Sequence, residues 1–106
     1  LQELGAQEVA ITDSDKGAWA GNAEQVWHCE SFPVEVVSKT GAGDAFSAAY
    51  LAARFYKKDI STALHWGIAN SCAAISSHGS TKNLLTQKEM AKAISQFASI
   101  KPRLIS

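Results

Sequence analysis

The chain has 106 residues, 46% of them hydrophobic and 19% charged, enough for one modest domain with a true core and too apolar for a disordered segment. Ten basic and ten acidic residues cancel, so no net field favours nucleic acid or an anionic membrane surface. No apolar run approaches the roughly 18 residues of a membrane span, and no signal-peptide pattern opens the sequence as given.

Leu1-Gln2-Glu3-Leu4-Gly5 reads as the last turn of a helix closed by a glycine. Glu8-Val9-Ala10-Ile11-Thr12 then has the β-branched character of a strand, and Asp13-Ser14-Asp15-Lys16-Gly17 the composition of a turn. Ala18-Trp19-Ala20 resumes an extended run, and Gly21-Asn22 turns it. Gln25-Val26-Trp27-His28-Cys29 returns as a strand, and Phe32-Pro33-Val34-Glu35-Val36-Val37 is expected to form another, with Pro33 near its start where a missing N–H is tolerated.

From Asp44 the apolar period changes from two to about 3.6. Phe46, Ala49, Tyr50 and Ala53 mark one helix face, broadened by Leu51 and Ala52, and Lys57-Lys58 are expected to close the helix with charge suited to its C-terminus. Asp59 is placed to cap a second helix lined by Ile60, Ala63, Leu64, Ile68, Cys72 and Ile75, with Gly67 inside the pattern and Gly79 as its C-cap. Thr86-Gln87-Lys88-Glu89 forms a capping box for a third helix, whose buried side carries Met90, Ile94 and Phe97. Strands followed by helices make an α/β layered domain, with fewer strands than its helices need for cover.

Cys29 and Cys72 have no metal-type spacing. They read as reduced cysteines of a cytoplasmic protein, although the spacing leaves a disulfide between them open. His65 and Cys72 share a helix face and His28 adjoins Cys29, but neither makes a two-plus-two ligand set, so no metal site is assigned. Trp19, Trp27 and Trp66 read as packing residues.

The chemistry centres on Thr40-Gly41-Ala42-Gly43-Asp44-Ala45-Phe46. Small residues let the backbone approach a ligand closely, and a helix start leaves N–H groups unpaired at the positive end of the helix dipole. That combination is an anion site. A carboxylate beside it suits proton abstraction better than phosphate binding, and the pairing suggests phosphoryl transfer. Other phosphate motifs fail. There is no P-loop, the third glycine of the dinucleotide fingerprint is replaced by Phe46, and the protein-kinase motif set is absent.

The residues from Thr40 to Phe46 resemble the Asp-Thr-x-Gly-Ala-Gly-Asp-x-Phe motif of the ribokinase-like (phosphofructokinase-B type) family of carbohydrate and nucleoside kinases. Ala63-Leu64-His65-Trp66-Gly67-Ile68-Ala69-Asn70-Ser71 and Leu84-Leu85-Thr86 are similar to its bacterial members, and the likeness extends over nearly the whole chain. It implies an α/β fold, the C-terminal part of a ribokinase-like layered fold with strands first and then three helices. On that reading residues 1–106 are a single nucleotide-binding and catalytic portion, without the N-terminal substrate-binding part and lid.

The resemblance further implies that Asp44 is the catalytic base and that the backbone of Gly41, Ala42, Gly43 and Asp44 forms the anion hole. It places Thr12, Gly17, Asn70 and Gly79 on the nucleotide side, with Ser76 and Ser77 preceding Gly79 near a monovalent-cation region. The implied cofactors are ATP and Mg²⁺. The implied partners are a small sugar or nucleoside and, as an open expectation, a second copy in a homodimer, with no nucleic acid or membrane. Ser14 stands where the family's Thr-x-Gly-x-x-Gly turn has its first glycine. Ser38 stands where the family has a cation-ligating Asp, with Lys39 beside it. The Ser14 change bears on how closely the backbone can approach the ATP phosphates, whereas the carboxylate lost at Ser38 and the charge gained at Lys39 should weaken a K⁺ site, with Lys39 partly replacing the cation. The rival reading is a non-catalytic nucleotide-binding or interaction module built on the same fold.

Overall fold

In a computed structural model the chain is described over residues 2–3, 8–13, 16–33, 41–75, 87–97 and 99–105. The elements run β1 (Gln2–Glu3), β2 (Val9–Asp13), β3 (Gly17–Gly21), β4 (Val26–Cys29), α1 (Ala42–Phe55), α2 (Ile60–Ile75), α3 (Gln87–Gln96) and β5 (Arg103–Leu104). The five strands form one antiparallel sheet in the order β1-β2-β3-β4-β5.

Alternation divides the sheet into two faces. Ala10, Ala18, Ala20 and Cys29 turn towards the helices and are buried. Because these side chains are small, α2 can lie close against β3 and β4. The core then fills with Phe46, Ala49, Tyr50 and Ala53 from α1, Ala63, Leu64, Ile68, Ala69 and Cys72 from α2, and Met90 from α3. Trp27 and Trp66 pack against this cluster, as does Phe97, whose ring stacks on Phe32 at 4.8 Å between centroids. The other face carries Val9, Ile11, Trp19 and Val26 around a shallow groove of about 210 Å³, with Trp19 against His28 at 4.5 Å.

Glycine is obligatory in the β2–β3 and β3–β4 connections. Gly17 has φ +89°, and a Cβ there would strike the Cys29 carbonyl oxygen; one on Gly21 would strike the Gln25 carbonyl. Asn22 shapes the second turn by accepting hydrogen bonds from the backbone N–H groups of Glu24 (2.8 Å) and Gln25 (2.9 Å).

Helix α1 is tied to the sheet at Glu8. The Tyr50 hydroxyl donates to Glu8 Oε2 (2.8 Å), and Arg54 donates to both carboxylate oxygens (Nη2–Oε1 2.8 Å, Nε–Oε2 3.1 Å). Burial and the carboxylate beside it raise the Tyr50 pKa, so the phenol stays protonated as the donor. The helix closes at the expected lysines, and their backbone makes the closure. Lys57 adopts the left-handed region (φ 62°), its N–H bonds Arg54 O, and the Lys58 N–H bonds Ala53 O, which is a Schellman turn. Arg54 supplies the charge at this end and donates to Lys58 O at 2.8 Å.

Several other expectations change. Gln2 and Glu3 pair with the edge of β2 rather than ending a helix, because an open strand edge offers unpaired backbone groups. Phe32 and Pro33 are not in a strand, and residues 34–37 of that expected strand lie outside the described residues. Leu51 is 46% exposed, since it falls beside the stripe of Phe46, Ala49, Tyr50 and Ala53. The strand β5 was not expected. It pairs with β4 after the last helix, and the Ile105 N–H bonds Val26 O at 2.7 Å. The capping-box Thr86 and the C-cap Gly79 lie outside the described residues, while Gln87 does begin α3.

Candidate active site

The N-terminus of α1 combines an exposed carboxylate with a helix start that no side chain among the described residues closes. Gly41 is the N-cap, with φ 85° and ψ 0°, a left-handed conformation that glycine adopts without strain. Its carbonyl accepts the first helical bond, from the Ala45 N–H at 2.9 Å. Helix geometry leaves the N–H groups of residues 41–44 without an intrahelical acceptor. Among the described residues no side-chain cap takes them, and the dipole adds partial positive charge there. Asp44 lies in this first turn rather than at the cap, and it is exposed. The plain alternative, that Asp44 is simply the helix cap, therefore does not describe this helix.

Gly43 adds a second clue. It sits in the helical first turn, where glycine costs about 1 kcal/mol relative to alanine. A Cβ there would meet nothing within 4 Å. Packing among the described residues gives no reason for this glycine.

The other sequence-predicted residues are distributed unevenly. Asn70 joins the α1 turn from behind. It is 3% exposed, and its Nδ2 donates to Ala45 O at 2.7 Å. Thr12 is exposed near the end of β2, in a separate element. Gly17 is buried and needed by the close approach of β4. Gly79, Ser76, Ser77, Ser38, Lys39 and Ser14 lie outside the described residues. Gly67, whose cost inside a helix pattern hints at close packing or at a backbone approached by a ligand, faces the Phe46 ring directly, which is close packing.

Among the described residues the remaining titratable groups form no competing centre. Cys29 and Cys72 are free, buried thiols. Burial, with Cys72 and Glu30 nearby, pushes the Cys29 thiol up to about 12, and burial also raises Cys72, so neither is an activated nucleophile. His65 packs edge-on to Phe32 (5.7 Å), and burial lowers its pKa. Among the described residues no group of three or more His, Cys, Asp or Glu gathers as a metal cage. No helix among them is long and apolar enough to cross a membrane.

The family model for pfkB family carbohydrate kinases matches residues 1–87. This chain belongs to the pfkB family. Within it, a 5-dehydro-2-deoxygluconokinase of Bacillus subtilis is 29% identical over 90 residues, 84% of this chain and 28% of that protein. A ribokinase of Bacillus subtilis is 33% identical over 85 residues, 80% of this chain and 29% of its own length. Among solved structures, a protein described as a ribokinase II of E. coli superposes with a TM-score of 0.78 at 33% identity, covering 87% of this chain and 30% of that one. The same protein has been solved with ATP and Mg²⁺. The pfkB chain described here thus spans under a third of the length of these relatives, and its fold is the ribokinase-type α/β fold.

Proposed function

We propose that this chain is the part of a pfkB-family kinase that carries the base and the anion hole, and that the kinase transfers the γ-phosphoryl group of ATP to a hydroxyl of a sugar or nucleoside. The observation that carries this reading is the open N-terminus of α1, with Asp44 exposed inside it and Gly43 facing empty space. The relatives named as sugar kinases and the ATP–Mg²⁺ complex of a similar structure support the choice of reaction.

In this reaction the substrate oxygen attacks the γ-phosphorus while its proton passes to the Asp44 carboxylate. The bond from the γ-phosphorus to the β,γ-bridging oxygen breaks, and ADP leaves. The N–H groups of residues 41–44 stabilise charge on the transferring group, which is where phosphoryl transfer gains most of its catalysis. The turn's donors fit a phosphate rather than a bare cation. Mg²⁺ would arrive on the ATP phosphates and neutralise part of their charge, and no residue of this chain is assigned to it. Thr12 and Gly79 belong to the nucleotide side of this proposal. Gly17 contributes through the hairpin it permits. A cytoplasmic setting, suggested by the two reduced cysteines, is part of the same reading.

The test is Asp44→Asn in the kinase that contains this segment, assayed over a panel of sugars and nucleosides. Turnover should fall roughly 10²- to 10⁴-fold, the usual worth of a positioned base. Undiminished turnover would remove Asp44 from the mechanism. ATP binding with no turnover by the parent protein on any acceptor would favour the non-catalytic module.

A further inference from the structure

We infer that Asn70 and Gly67 of α2 are positioning residues: together they hold the first turn of α1, and so Asp44 and its neighbouring N–H groups, in the geometry that transfers phosphate. The inference rests on the reading of that turn proposed above.

Among the described residues Asn70 is the buried polar side chain of the core, on a helix face otherwise lined by Ile60, Ala63, Leu64, Gly67 and Ile68. An amide is costly to bury unless it is hydrogen-bonded. Asn70 Nδ2 donates to Ala45 O at 2.7 Å, across 25 residues of chain. That carbonyl already has a helical role one turn further on, and its second lone pair takes the Asn70 proton. The bond is therefore not needed to make a helix. It ties this particular turn to α2, at the residue directly after Asp44.

Gly67 acts one residue further along α1. It lies three residues before Asn70, on the same face of α2. A Cβ on Gly67 would come within 2.5 Å of Phe46 Cε2 and 2.6 Å of Cδ2. The ring has little room to retreat, because it is 2% exposed and stacks on Tyr50 at 5.8 Å between centroids. Tyr50 is in turn fixed by its bond to Glu8. Consecutive residues of α1, Ala45 and Phe46, are thus seated on two points of α2. Only 3% exposed and with one amide N–H spent on Ala45 O, Asn70 serves through α1 rather than by touching nucleotide.

The test uses Asn70→Leu, Asn70→Asp and Gly67→Ala in the kinase that contains this segment, with steady-state kinetics and amide hydrogen exchange at residues 41–46. Asn70→Leu and Gly67→Ala should each speed exchange in that turn and lower kcat, with KM for ATP little changed. A small misplacement of reacting groups can cost roughly 10²-fold. Asn70→Asp separates positioning from packing. A buried carboxyl has a raised pKa, and its protonated form can donate to Ala45 O as the amide does. Its kcat relative to the parent should therefore recover as pH falls, while that of Asn70→Leu stays flat.

Unchanged exchange at residues 41–46 in Asn70→Leu would overturn the inference. So would a raised KM for ATP at undiminished kcat, which is the pattern of a direct nucleotide contact. Faster exchange with full kcat would also overturn it, by uncoupling the turn from turnover. If Asn70→Leu does not fold, Asn70→Asp and Gly67→Ala carry the same readouts. A failure of the Asp44 reading is visible separately: Asp44→Asn would keep its turnover, whatever the exchange data say of Asn70.

Discussion

Helices α1 and α2 begin in opposite ways. At α2, Asp59 Oδ1 accepts hydrogen bonds from the Thr62 N–H (2.8 Å) and the Ser61 hydroxyl (3.1 Å), and the Asp59 carbonyl accepts from the Ala63 N–H (2.9 Å). At α1, the cap is a left-handed glycine with no side chain to offer, and the nearby carboxylate of Asp44 is exposed without capping the helix. A helix start that closes itself is a structural joint. One that leaves its N–H groups open, with a carboxylate available in the same turn, has the features that the proposed anion hole and base require.

The most severe way to break this contrast is to give α1 a cap of its own. Asparagine tolerates the left-handed region and offers a side-chain oxygen to the open N–H groups. Gly41→Asn should therefore lower kcat by roughly 10²- to 10³-fold, as the loss of an anion-hole donor does. The melting temperature should move little, and a calorimetric scan beside the kinetics checks both. Gly43→Ala is the next test. It should stabilise the isolated fold by up to about 1 kcal/mol, because nothing lies within 4 Å of the added methyl and alanine favours a helix. Turnover should nevertheless fall, because the methyl would stand where the proposed phosphate approaches. A variant both more stable and fully active would remove the ligand explanation for this glycine.

The smallest effect belongs to the closed helix. Asp59→Ala should cost about 1 kcal/mol of stability at neutral pH and leave kcat unchanged. Hydrogen bonds from Thr62, side chain first and then backbone, hold the folded pKa of Asp59 below its ordinary value of 3.8. Its stabilisation is therefore whole above the unfolded pKa and is lost as pH falls through the folded one. The difference between parent and Asp59→Ala in denaturant midpoint should shrink below about pH 4. A difference constant down to pH 2 would mean that the carboxylate charge does not contribute.

The glycines of the hairpins sharpen the same lesson from another side. Gly17 and Gly21 are required because β4 and its turn run directly against them, whereas Gly43 faces open space. In sequence all three are small residues in or near turns, and Gly17 and Gly43 carry the same family association. Only the neighbours distinguish them.

Local rules were enough for much of this protein. The 3.6-residue period of Phe46, Ala49, Tyr50 and Ala53 located α1, Asp59 marked the start of α2, and the glycines before Asp44 marked the open turn, because each depends on residues a few positions apart. The sequence by itself thus determined the three helices, the first hairpins and the family to which they belong. Tertiary structure decided the rest. The short strands β1 and β5 exist because a neighbouring edge accepts them, and two residues carry no periodic signal. The burial of Asn70 was written faintly in its place at the spacing of Ile60, Ala63 and Gly67. Its partner, however, is a carbonyl 25 residues earlier, and only the crossing of α2 over α1 brings the two together.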